Sequence, residues 1–144
     1  MNRAKVLMAA ALLVGGATAC SDLTGTSARA DGVYFLQTVN GTTLPYSYVD
    51  SQTGNTVIVQ SDTYSLNSDG GYTEFASYRV NGLTQSQTES GSWSQSNSVV
   101  TLFPTQSSTG NTSSYQGTIG NSNVFGGART LTISINGTTG IYSE

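Results

Sequence analysis

Glu74 and Glu89 are the residues of this chain best placed to move a proton. They sit mid-strand on strands predicted to be adjacent, and paired carboxyls can divide the roles of general acid and base. Little else could assist them. The chain has no histidine, its one lysine is Lys5 near the N-terminus, and its one cysteine is Cys20. Nucleophile-and-base arrangements built on those side chains are therefore excluded from the region that folds. The plainer expectation is that Glu74 and Glu89 lie on an exposed strand face, solvated or paired with Arg79, since such faces commonly carry charge pairs. The chain reads as non-catalytic. Without His or a second Cys only an all-oxygen metal site remains, and Asp69-Gly70-Gly71 lacks the spaced acids of a calcium loop. That stretch reads as a turn, and no metal or cofactor is expected.

Binding chemistry has more to work with. Trp93 shares a strand face with Gln85, Gln87, Glu89, Gly91 and Gln95. It reads either as a core plug or as a stacking platform in a mouth lined by glutamines, suited to a sugar or an amphipathic ligand. Arg79 reads as a cross-strand salt-bridge partner, with a pocket cation as the alternative. The ligand-binding candidates are Trp93, Arg79, Glu89, Tyr64 and Phe75. Tyr46 and Tyr48, flanking Pro45, read as loop packing or as an exposed recognition patch. From Cys20 onward three arginines face eight acids, a net charge of −5, and such a surface repels nucleic acid.

The elements that must hold these residues are strands. Past Asp31 there is no lysine, alanine occurs only at Ala76 and Ala128, and no window spaces apolar residues as a helix does. Short β-branched and aromatic runs alternate with turn signals instead. The predicted strands are 33–39, 56–60, 63–67, 72–80, about 85–95, 99–103 (ended by Pro104), 113–119, 130–135 and 140–142. Asn40-Gly41, Asn81-Gly82 and Asn136-Gly137 are hairpin dipeptides, because both residues tolerate positive φ. Alternation gives a dry face with Tyr64, Leu66, Val100, Leu102, Leu131, Ile133 and Ile135. Its wet counterpart carries Thr63, Ser65, Thr101, Thr130, Thr132 and Ser134. Eight or nine one-faced strands joined by short turns fit an antiparallel sheet closing on itself. The fold expected is all-β, a small antiparallel up-and-down barrel of about eight strands over residues 32–144.

The N-terminus has a different grammar. Arg3 and Lys5 precede an unbroken apolar run of nine residues, Val6–Val14, followed by small residues up to Ala19. This is a secretory signal layout over residues 1–19. As a helix the run spans about 14 Å, too short for a bilayer core of roughly 30 Å. Ala17-Thr18-Ala19 fits ordinary signal peptidase; with Cys20 it also resembles a bacterial lipobox, although Ala17 stands where Leu is usual. A lone exported cysteine cannot form an internal disulfide, which favours lipidation of Cys20. The lipoprotein resemblance implies a multi-chain membrane anchor, and Ser21 after the cysteine leans toward the outer membrane. Residues 20–31, rich in Ser, Thr, Gly and Ala, read as a flexible tether.

The stretches GVYFLQTVNGTTLP, YSLNSDGGYTEFASYRV, ESGSWSQSNSVVTL and RTLTISING, in that order, resemble the bacterial lipocalin-like lipoproteins over Gly32 to about Tyr142. The resemblance implies a calycin-type antiparallel barrel on a lipid anchor. It departs from lipocalins proper in placing Gly91-Ser92-Trp93 mid-chain, where those carry the motif on the first strand. The expected function is a lipid-anchored, non-catalytic module of the bacterial cell envelope that binds a small apolar or amphipathic ligand. The alternative is a filled barrel that works through its polar exterior on an envelope protein or glycan. Interior filling separates the two: Tyr64, Phe75, Trp93 and Phe103 all pointing inward would favour the alternative.

Overall fold

The computed structural model describes residues 29–144; the signal segment, Cys20 and most of the expected tether lie outside the described residues. Ten strands run in chain order: β1 Gly32–Val39, β2 Thr42–Thr43, β3 Tyr46–Val49, β4 Thr56–Leu66, β5 Gly71–Val80, β6 Leu83–Ser96, β7 Val99–Ser107, β8 Tyr115–Ser122, β9 Ala128–Ile135 and β10 Thr138–Ser143. A single 3-10 turn, Asn123–Phe125, links β8 to β9. All pairings are antiparallel, in the order β1-β10-β9-β8-β7-β6-β5-β4, and β4 returns to β1. Eight strands therefore close a barrel, and β2 and β3 are additions to it.

The closing seam is split. The first half of β1 pairs with β4, from Gly32 opposite Leu66 to Phe35 opposite Thr63. Beyond that point β1 pairs with β2, while the start of β4 pairs with β3. The segment Thr42–Val49, with a cis Leu44–Pro45 bond, spans the divergence. The prolyl stretch, expected as a loop, is thus built into the wall.

The two expected strands 56–60 and 63–67 are one strand, β4, with an irregularity at Gln60: Val59 pairs with Tyr78, and Ser61 with Ser77. A bulge inserts one unpaired residue and changes which side chains face inward. Val57 and Val59 face the interior before it; Asp62, Tyr64 and Leu66 do so after it. Strand β7 also outruns expectation, continuing through Pro104 to Ser107. Strand β8 pairs only with Val99–Leu102, so Pro104 lies where that side of β7 has no partner in the ladder, and a missing N–H is tolerated.

The core lies toward the end where β1 begins, which we term the base. Tyr34, Leu66, Tyr72, Val100, Leu102 and Leu131 are buried there. The expected tether does not reach Asp31 as free chain: Ala30 is fully buried, its N–H donates to Gln95 Oε1 at 2.9 Å, and its carbonyl accepts from Tyr34 Oη at 2.8 Å. Arg129 completes the seal, donating to the carbonyls of Arg29 and Asp31 and pairing with Glu144. Most of the expected dry face is interior. Ile135 is the exception, exposed at the rim, and Thr130 on the expected wet face is buried, with its hydroxyl beside Gly120.

Candidate functional site

Above this core the barrel is hollow. A cavity of about 400 Å³ opens toward the end opposite the base, walled by Leu36, Val39, Val59 and Ile133 and by Tyr46 and Tyr48 of β3. A second hollow of about 540 Å³, reaching along β4, β5 and β6, shares Tyr48, Val59, Asp62, Glu74 and Gln87 with it. The two are compartments of one mouth. Gly140 contributes by absence: a Cβ there would lie 2.9 Å from the Tyr142 ring.

The floor is acidic. Period-two alternation on β5 places Glu74 on the same face as Tyr72, a core residue, and only 6% of Glu74 is exposed. The bulge in β4 brings Asp62 to that face, and Glu89 lies opposite Glu74 in the β5–β6 register. Three phenols donate to two of these carboxyls, and a fourth donates to one of those three phenols. Tyr72 and Tyr115 both donate to Glu89 Oε1, at 2.7 and 2.5 Å. Tyr115 has spent its proton there, so Tyr64 donates to Tyr115 across 3.0 Å. Tyr142 donates to Asp62 Oδ2 at 2.7 Å and packs edge-on against Tyr64. No phenol remains for Glu74. Its Oε2 and Asp62 Oδ1 are buried without a hydrogen-bond donor.

Those two carboxyls act on each other's ionisation, and a proton held by one is a donor for the other. Burial, the Asp62 charge and the Glu89 charge push Glu74 up to about 8. Burial likewise raises Asp62 to about 6, against the opposing hydrogen bond from Tyr142. Burial and neighbouring carboxylates raise Tyr64, Tyr72 and Tyr142, and burial with the Tyr64 and Glu89 contacts raises Tyr115, so the phenols stay protonated donors.

The expected site residues scatter. Tyr64 lines the cavity and Glu89 lies deeper, joined to it through Tyr115. Trp93 sits at the base, half-buried, with Nε1 donating to the Asn67 carbonyl at 2.9 Å; it lines neither hollow. Arg79 is exposed on the outer face near the β5–β6 turn and donates to the Gly82 carbonyl at 3.1 Å. The expectation that Glu74 and Glu89 are solvated or paired with Arg79 is corrected. Arg79 is an odd number of residues from Glu74 and so points out where Glu74 points in. Phe75, 51% exposed, likewise faces outward in an outer groove with Thr63 and Thr88, and Phe103 is exposed too. The aromatics do not all fill the interior.

Asp62 was not among the expected site residues, although alternation from Tyr64 and Leu66 carries it to the dry face. Tyr115 and Tyr142 carried no signal of their own beyond strand position. Among the described residues no helix is long and apolar enough to cross a membrane, and no metal-binding group of His, Cys, Asp or Glu occurs. Compared with family models, curated proteins and solved structures, the chain matches none.

Proposed function

We propose that this protein is a lipid-anchored, non-catalytic module of the bacterial cell envelope that binds a small amphipathic ligand in the mouth of its barrel. The cavity of about 400 Å³ above a filled base carries this reading, because apolar walls with a few convergent polar groups are the usual form of a small-molecule site. Eight-stranded barrels are often only wide enough for their own side chains; here small and outward-turned residues leave space in the upper half. The lipocalin-like order of motifs agrees with this use of the fold.

A carboxyl pair also invites comparison with glycoside hydrolases, and its arrangement differs from theirs. Glycoside hydrolysis holds its two carboxyls at least about 5 Å apart, on either side of the scissile bond. Asp62 and Glu74 instead lie within hydrogen-bond reach of each other, and Glu89 is committed to two phenols. The anchor reading rests on Cys20 and the small residues before it. Because the chain enters at the base, an anchor there leaves the mouth facing away from the membrane.

Native mass spectrometry of the protein extracted from its host's membranes in mild detergent tests both parts. The expected result is acylation at Cys20, loss of membrane association in Cys20→Ser, and a non-covalent small molecule that departs on activation. An unmodified chain free in solution would refute the anchor. Extraction of an empty barrel that takes up no small molecule would favour the filled-barrel alternative, acting on an envelope protein or glycan through its outer face.

A further inference from the structure

The cavity has a definite electrostatic character. Of the described arginines, Arg29 and Arg129 are held at the base and Arg79 lies outside, so no cation lines either hollow. Asp62 and Glu74 line both. Glu74 is 6% exposed, and its Oε2, like Asp62 Oδ1, has no donor. Buried carboxyl oxygens without donors are costly, and whatever occupies the space beside them gains by supplying N–H or O–H groups.

We propose that the cavity selects an organic cation, an amine carried on an apolar or aromatic body, with its ammonium seated against Asp62 and Glu74. This rests on the reading of the cavity as a ligand site and names the ligand's class. In place of one shared proton, an ammonium brings three donors and a full compensating charge to the two carboxyls. The walls match the rest of such a molecule: Leu36, Val59 and Ile133 offer apolar contact. Tyr46 and Tyr48, stacked with ring centroids 6.0 Å apart, present aromatic faces on which a cation is favourably placed. An anion meets two acids and no base. A neutral ligand of the same shape leaves the pair holding its own proton.

That proton makes the binding pH-dependent. In the empty cavity one proton serves both carboxyls, and an ammonium replaces it. The groups facing Glu74 are Asp62 and Tyr64 from β4, Glu89 from β6, Tyr142 from β10 and Tyr72 on its own strand. The phenols hold their protons, and Asp62 and Glu74 are the groups raised into the neutral range. Cation affinity therefore rises with pH through the neutral range, and binding at neutral pH releases a proton.

The test is isothermal calorimetry on the full chain in zwitterionic lipid nanodiscs, with empty nanodiscs as blank, against three indoles of one shape. These are tryptamine (cationic), tryptophol (neutral) and indole-3-propionate (anionic). Tryptamine is expected to bind best, the anion worst, with a proton released that scales the heat with buffer ionisation enthalpy. Glu74→Gln and Asp62→Asn are each expected to weaken tryptamine by about tenfold or more, the scale of a lost charged hydrogen bond. Both should leave tryptophol within about twofold. Tryptophol or indole-3-propionate binding as tightly as tryptamine, or tryptamine indifferent to both substitutions, would overturn the cation assignment while leaving the ligand cavity standing. If none of the three binds, the cavity reading falls with it.

Discussion

Glu74 has a carboxyl surrounded by phenols already committed elsewhere and by two other acids, so its ionisation is tied to folding. Its ordinary value is about 4.5 and its folded value about 8. Below about pH 4.5 both folded and unfolded chains hold the proton, and the folded state loses nothing. As pH rises from there to about 8, the unfolded chain ionises while the folded one resists, and stability falls; above about 8 both are ionised and the loss levels off. Asp62, raised to about 6, steepens the same descent. The total is on the order of a few kcal/mol. Thermal unfolding followed from about pH 5 to about pH 8 is expected to show a falling midpoint. Glu74→Gln, which cannot ionise, should flatten the fall and be the more stable protein at the alkaline end. A wild-type midpoint that holds steady or climbs over that span would contradict the placement of this carboxyl.

At the scale of elements, two irregularities do the positioning. Gln60 bulges from β4 and transfers Asp62 to the inner face. A second irregularity, between Ser90 and Gly91, lets β7 run past Pro104 to Ser107 beside β6. Gly91 is obligatory there, since a Cβ would overlap the Phe103 carbonyl. Gly91→Ala is expected to destabilise the fold by about 1–3 kcal/mol, the usual cost of overpacking, read as a lower urea midpoint; an unchanged midpoint would mean the two backbones approach less closely. The same irregularities mark how far the strands could be read from sequence. Asn40-Gly41, Asn81-Gly82 and Asn136-Gly137 take positive φ at both residues and make the tight turns expected of them. The inner positions Tyr64, Leu66, Val100, Leu102, Leu131 and Ile133 follow from simple alternation. What alternation could not give is a parity change inside a strand, and Gln60 has no composition that announces one. From composition alone the position looks like a break between two strands. Tyr46 and Tyr48 are hard to place for a related reason: β3 is only four residues long and hairpins onto β4 across a loop without an Asn-Gly turn signal, so nothing near Pro45 distinguishes wall from loop. Glu74 and Glu89 were singled out as chemistry-bearing, but their side of the sheet depended on Tyr72 being core.

The whole molecule has two unlike ends. The base is closed by Ala30, Trp93 and the Arg129–Glu144 pair, where the described chain begins. The opposite end is a hollow with an acidic floor and apolar walls. A segment with net charge −5 after Ala19 adds a long-range field that draws small cations and repels anions, more strongly at low ionic strength. Closure of β1 on β4 leaves sheet edges only where the seam splits, at the short strands β2 and β3. The same closure buries Glu74 and sets it beside Asp62, raising the affinity of both for a proton. The site depends on that proton. Its most direct measurement is the pH titration of the Glu74 side-chain carboxyl by carbon-detected NMR in ligand-free protein. We expect the resonance to move with a midpoint near 8, coupled to a step near 6 shared with Asp62; a single transition near the ordinary 4.5 would place Glu74 in water and remove the site.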